Sequence, residues 1–187
     1  MPQLNVSKNK WEKEFSAGQW DYLDSTPAER ARSAIIGMLC QHYYIKGKIL
    51  DVGCGLGTTV DFLNTDQRRK YLGLDISEEA VKKARKKNTA FLASDFDNFK
   101  STKKFDVIIF NEVLYYMDEN SAFEQALNIL TEHGIILVSL YQMKNKRYDQ
   151  KIWKASRKFF QTIEAIEVSS KVKNQLVTWR VDALKRK

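Results

Sequence analysis

Two carboxylates and three glycines form the part of this sequence best suited to chemistry. Asp51 stands in the short apolar run 49–52, and Gly53, Gly55 and Gly57 follow at alternate positions before Thr58 and Thr59 open a helix-like stretch. Eighteen residues beyond Gly57, Asp75 closes a second run, Tyr71-Leu72-Gly73-Leu74-Asp75. Glycine suits a turn that brings backbone against a ligand, because a Cβ would block the approach and positive φ costs glycine nothing. An ionised Asp at the tip of the next strand can accept from both hydroxyls of a ribose, each charge-assisted bond being worth about 1.5–3 kcal/mol. The pattern is that of a nucleoside-binding crevice.

The dinucleotide fingerprint G-x-G-x-x-G is incomplete, since Thr58 stands where its third glycine belongs, which argues against NAD. The stretch from Asp51 to Gly57 reads D-x-G-x-G-x-G and resembles the first motif of class I S-adenosylmethionine-dependent methyltransferases. Three further matches follow in order: the run ending at Asp75, the run Phe91-Leu92-Ala93-Ser94-Asp95-Phe96, and the apolar strand from Phe105 that ends in Asn111-Glu112-Val113-Leu114-Tyr115-Tyr116. The last wording is similar to small methyltransferases of saccharide pathways, among them nodulation-factor N-methyltransferases and relatives in capsule and glycan biosynthesis. The resemblance covers nearly the whole chain and implies S-adenosyl-L-methionine as cofactor. It places Asp51, Gly53 and Gly55, with Cys54 between them, at the methionine end, and Asp75 with its neighbour Ile76 at the ribose. It further implies that Asp95 accepts from the adenine amino group with Phe96 beside the base, that Asn111 belongs to the same set, and that Arg32 reaches the cofactor carboxylate. Read without the family, the glycines make a tight turn, Asp95 caps a turn, and Glu29 and Arg32, one helical turn apart, form a solvent-facing ion pair.

Methyl transfer from a sulfonium is an in-line displacement, so orientation and exclusion of water are the main tasks. Aromatic faces can hold the cation. Trp11, Trp20, Tyr115 and Tyr116 are the candidates, Tyr115 being preferred for catalysis and Trp20 for the cofactor. An alcohol or ammonium must lose a proton before it presents a lone pair, and Glu112, just past the fourth strand, is the candidate base. The alternatives for Glu112 are a surface carboxylate or a bond to the cofactor's amino group. His42 reads as a helix-end residue and His133 as a turn residue. Cys40 and Cys54 form no C-x-x-C and no metal site is expected.

The elements that must position these groups alternate along the chain. Strands are expected at 48–52, 71–75, 90–94, 105–110 and 135–140, and helices at about 27–42, 58–64, 77–88 and 118–130. Thr26-Pro27-Ala28-Glu29 reads as a cap with proline at the first helical position, and Ala34, Ile35, Met38 and Leu39 read as the inner face of that helix. Residues 133–134 read as a turn. A helix near 148–158 and a hairpin of strands 160–168 and 175–184 complete the pattern. The fold class is therefore α/β: a Rossmann-like, seven-stranded, mostly parallel sheet with helices on both faces and a C-terminal antiparallel hairpin. One domain spans 1–187, with residues 1–45 as an N-terminal helical lid and 46–187 as the core. Residues 1–10 read as frayed. The aromatic segment of Trp11, Phe15, Trp20, Tyr22 and Leu23 reads either as that lid or as a helix packed outside the sheet. The short link 143–147 leaves no room for a large substrate domain.

With 187 residues, 43% hydrophobic, the chain suffices for one full core. No stretch of eighteen apolar residues and no secretory leader is visible, and two cysteines without a framework suit a reducing cytoplasm. The net charge of +8 points to an anionic partner. Its lysines and arginines crowd residues 82–87, 68–70 and 185–187, as solvated faces do. The expected function is methyl transfer to N or O of a small polar, sugar-linked or phosphorylated acceptor. A nucleic-acid (RNA) methyltransferase is the alternative, though Asn111-Glu112-Val113-Leu114 replaces the Pro-Pro-Tyr signature of base methylation. A non-catalytic cofactor-binding domain is the third reading.

Overall fold

The computed structural model describes residues 6–142, 147–172 and 174–187. Residues 1–5 of the stretch read as frayed and 143–146 of the link lie outside the described residues, whereas Lys8 to Lys10, expected to fray, open a helix. Seven strands, β1 (Ile49–Val52), β2 (Tyr71–Asp75), β3 (Ala90–Ala93), β4 (Phe105–Asn111), β5 (Leu130–Tyr141), β6 (Phe160–Val172) and β7 (Gln175–Arg186), form one sheet in the order β3-β2-β1-β4-β5-β7-β6. The first five run parallel, and β7 pairs antiparallel with both β5 and β6. The order in which strands are added reverses between β1 and β4, the switch point at which a parallel sheet opens a crevice beyond its carboxyl ends.

Burial follows the period-two alternation of a strand. Leu50, Val52, Ile108, Phe110, Ile136 and Val138 face one layer, with Phe123 of helix α5 (Glu119–Ile129) and Ile152 of α6 (Arg147–Phe159). Ile49, Val107, Ile109, Ile135 and Leu137 face the other, with Ile36, Leu39 and Cys40 of α2 (Pro27–Tyr43) and Val81 and Ala84 of α4 (Glu78–Ala84). Each large side chain buried this way contributes about 1.5–3 kcal/mol of transfer free energy.

Several local expectations are corrected. The inner face of α2 is set by Arg32, Ser33, Ile36, Gly37, Leu39 and Cys40, whereas Ala34 and Ile35 are only partly buried and Met38 is 44% exposed. The sheet and the cavity together claim a wider arc than an apolar stripe alone would mark. Thr26 occupies the cap position of α2 without capping it, its hydroxyl donating instead to the Tyr22 carbonyl. Residues 58–62 form a 3-10 helix, and a separate short α3 (Thr65–Arg69) begins behind an Asn64–Gln67 capping box. Helix α4 ends at Ala84, continuing as a 3-10 turn until Asn88 enters the left-handed region. His133 and Gly134 lie within β5, at a break in its register with β4. β6 and β7 extend to Val172 and Gln175, so Ser169 and Ser170 belong to the ladder.

The N-terminal helix α1 (Lys8–Ser16) is docked by the buried Phe15, by a Lys8–Glu78 ion pair at 2.8 Å and by Glu12. Glu12 accepts from the Ser77 hydroxyl at 2.8 Å and from the amides of Glu78 and Glu79 at 2.8 and 3.1 Å, occupying the amino end of α4. Behind it, Lys87 bridges Asp24 and Asp61 at 2.8 and 2.9 Å, and Arg30 closes on Asp61 at 2.9 Å. These bonds hold the 3-10 segment Asp21–Asp24 over the glycine turn.

Candidate functional site

Gly53, Gly55 and Gly57 all adopt positive φ, at 66°, 51° and 71°. At Gly53 a Cβ would also lie 2.3 Å from Val113 Cγ2. The turn therefore needs glycine both for its backbone and for the approach of the segment after β4. Two lobes of one hollow meet at this turn, for Gly53, Gly55, Trp20, Leu23 and Tyr116 line both.

The smaller lobe, about 180 Å³, lies over the tips of β2 and β3 and is lined by Asp75, Ile76, Asp95 and Phe96 below, and Trp11 and Phe15 above. Asp75 is 8% exposed, accepting from Gly55 N through Oδ2 and from Ser77 N through Oδ1, both at 2.9 Å. Burial pushes its carboxyl up to about 6 against those two bonds. Asp95 accepts from Asp97 N at 3.2 Å, so the capping reading holds while its carboxylate still borders the lobe.

The larger lobe, about 410 Å³, lies over β1 and β4 and holds Asp51, Cys54, Asn111, Glu112, Tyr115 and Arg32. Asp51 is 1% exposed; its Oδ2 accepts from the Tyr71 hydroxyl at 2.8 Å, whereas Oδ1 has no hydrogen-bond partner. Burial raises this carboxyl to about 7. Arg32 is 4% exposed, which removes the solvent-facing reading of its ion pair. It reaches Glu29 at 2.6 Å and Asn111 Oδ1 at 2.8 Å, and its guanidinium lies 5.3 Å from the Trp179 ring centre.

Glu112 occupies the left-handed region at φ 62°, a strained setting for a residue with a side chain. The strain is compensated by two contacts with Ser139 of β5: Glu112 N donates to the Ser139 carbonyl at 3.1 Å, and the Ser139 hydroxyl donates to Glu112 Oε1 at 3.0 Å. Glu112 is thereby turned into the cavity rather than left on the surface. Desolvation pushes its carboxyl up to about 7, although the charge of Arg32 and the Ser139 bond pull the other way. Tyr115 donates to the Tyr141 carbonyl at 3.3 Å, and burial raises its phenol. Tyr115 therefore offers a ring, with its proton held, rather than a base.

All fifteen candidate residues border one lobe or the other. Trp179 and Tyr141 were not visible as site residues, because they lie on an antiparallel strand and at a strand end with no motif around them. Glu29 was visible only as a partner of Arg32.

A methyltransferase-domain family model matches residues 46–180. The chain belongs to this family. Its motifs and the sheet order already described are those of a class I methyltransferase fold. Among curated relatives, it is 25% identical over 143 residues to malonyl-[acyl-carrier protein] O-methyltransferase 2 of Ilyobacter polytropus, covering 73% of this chain and 55% of that one. It is 29% identical over 113 residues to nodulation protein S of Rhizobium tropici, covering 58% and 47%. The chain thus spans about half the length of these relatives. Among solved structures, the N-methyltransferase NodS of Bradyrhizobium japonicum in complex with S-adenosyl-L-homocysteine superposes with a TM-score of 0.77 at 18% identity, covering 94% of this chain and 97% of that one. At that identity the likeness speaks for the fold.

The methyltransferase hollow fits its cofactor chemically. Asp51 Oδ1 is a buried acceptor with no partner, as an ammonium requires. Arg32 retains donors beyond its two bonds, as a carboxylate requires. The smaller lobe combines the Asp75 carboxylate with the Phe96 and Phe15 rings, as a nucleoside requires.

Proposed function

We propose that the protein transfers a methyl group from S-adenosyl-L-methionine to N or O of a small polar acceptor. The observation that carries this reading is the single two-lobed hollow at the carboxyl ends of the parallel strands, which gathers the polar groups for a nucleoside, an amino-acid end and a proton acceptor. When bound, the cofactor supplies an electrophilic methyl on a sulfonium. Asp75 and Ile76 hold the ribose, Asp95 and Phe96 the base, and Asp51, Gly53, Cys54 and Gly55 with Arg32 and Asn111 the amino-acid end. Trp20 and Tyr115 border the reacting centre with aromatic faces.

Glu112 takes the acceptor's proton at its carboxylate, close to neutral pH because burial raises its pKa to about 7. The lid, expected over residues 1–45, narrows to the segment from Lys8 to Asp24, because α2 packs in the core against the sheet. Trp11, Phe15, Trp20 and Leu23 form its underside, and they keep bulk water from the hollow. The sugar-linked form of the acceptor is supported by the wording of residues 111–116. A cytoplasmic location suits the free thiols of Cys40 and Cys54.

The test is calorimetric titration with S-adenosyl-L-methionine and S-adenosyl-L-homocysteine, followed by labelled-methyl transfer to a panel of sugars, amines and alcohols. Micromolar binding with transfer to a panel member is the expected result. Failure of both cofactors to bind would remove the reading.

A further inference from the structure

We infer that the acceptor is an amine that enters as its cation, and that the cavity rejects anionic acceptors, phosphorylated ones included. This rests on the methyltransferase reading above and narrows it. Among the described residues, the charged groups lining the larger lobe are Glu29, Asp51 and Glu112 against Arg32 alone. On that reading Asp51 and Arg32 face the two charges of the cofactor's amino-acid end. The charged groups then left along the lobe are both carboxylates, Glu29, already paired with Arg32, and Glu112.

No spare cation awaits a phosphate there. Arg32 closes on Glu29 at 2.6 Å and on Asn111 at 2.8 Å, with one face against Trp179. A dianion placed beside Glu112 would meet like charge where water is scarce, which disfavours both groups. An ammonium meets the opposite: the Glu112 carboxylate and a ring wall built by Tyr22, Tyr116, Tyr141 and Trp179. The net charge of +8 resides on the exterior, and its sign is reversed inside the lobe.

The chemistry balances with groups already named. One proton of the acceptor ammonium passes to the Glu112 carboxylate, exposing the nitrogen lone pair. That pair forms the new N–C bond while the electrons of the broken C–S bond stay on sulfur. The product leaves as a methylammonium, and the proton held by Glu112 returns to solvent.

The experiment measures binding rather than turnover. Protein saturated with S-adenosyl-L-homocysteine is titrated in a calorimeter at pH 7.5 with 2-phenylethylamine, 3-phenylpropanoate and phenyl phosphate, probes of similar shape and different charge. The amine should bind at least about tenfold more tightly than either anion, and Glu112→Gln should reduce that preference to about threefold or less while leaving homocysteine-cofactor affinity within about twofold. Equal or tighter binding of either anion, or no measurable amine binding to the cofactor-loaded protein, overturns the inference and leaves the methyltransferase reading standing. Loss of cofactor binding itself would instead strike the reading beneath it.

Discussion

Arg32 Nε donates to Asn111 Oδ1 at 2.8 Å, joining the first long helix to the end of β4 across 79 positions of sequence. The bond fixes a guanidinium in the cavity at the point where Glu29 and Trp179 also converge. A side chain so placed is specified by geometry as well as by charge.

Arg32→Lys keeps the charge and loses the planar fork, so affinity for S-adenosyl-L-homocysteine should fall by about tenfold. Affinity for 5′-methylthioadenosine, which lacks the amino-acid end, should be unchanged. Calorimetry with the two ligands checks the pair, and equal loss for both would move Arg32 from ligand contact to a purely structural role.

Asp75→Ala removes the acceptor for Gly55 N and Ser77 N as well as the proposed ribose contact. Cofactor affinity should drop by tenfold or more, on the order of 1.5–3 kcal/mol for one lost charge-assisted bond. An unchanged dissociation constant would take Asp75 out of the site.

Glu112→Gln should lower kcat by about 100-fold or more with little effect on cofactor affinity. In the parent protein kcat/KM should rise as pH passes through about 7, where the carboxyl ionises. The groups facing it are Arg32 and Glu29 from α2, Ser139 from β5, and the neighbouring Tyr115 and Tyr116. Loss of cofactor affinity in step with kcat would reassign Glu112 to binding.

The same substitution should stabilise the fold at alkaline pH. A carboxyl whose folded pKa is about 7, against 4.5 for the free group, favours the folded state fully below pH 4.5 and loses that contribution as pH rises through 7. Removing the charge should therefore raise Tm by a few degrees at pH 8, on the order of 1–2 kcal/mol, and by nothing at pH 4. Scanning calorimetry at both values reads the difference, and a Tm gain independent of pH would contradict the mechanism.

Gly53→Ala introduces a Cβ 2.3 Å from Val113 Cγ2 at a φ of 66°. Both strain and clash act, so Tm should fall by several degrees and cofactor affinity with it. Val113→Ala in the same chain should restore part of the affinity, because it removes the clash but leaves the backbone strain.

Much of this site could be read from the chain because its chemistry is written locally. Asp51 through Gly57, Asp75 and Asp95 lie at the carboxyl ends of short strands at the spacing a parallel sheet demands, and the strands place them together. The parallel strands followed from the same alternation and the C-terminal hairpin from two adjacent strand runs, whereas the order of the strands is a finding of the structure. The misread elements are those decided by distant partners. Met38 carries the apolar character of an inner position, yet the face of α2 is claimed by the cavity through Arg32 and Ser33. Trp179 belongs to a strand without a motif, and only the antiparallel register that sets it opposite Tyr141 delivers it to the hollow. The turn expected at His133 and Gly134 failed because a register break absorbs both residues into β5.

Domain boundaries drawn by family similarity would cut this protein in the wrong place. The family match starts at residue 46, yet Trp11, Phe15, Trp20, Glu29 and Arg32 all precede it, as does Glu12, which helps dock the first helix. A clone begun at residue 46 would keep every strand and the glycine turn 53–57, and would present an open trough with its guanidinium missing. Biochemists who choose expression limits from the sheet alone would be assaying a scaffold from which half of the vessel had been removed.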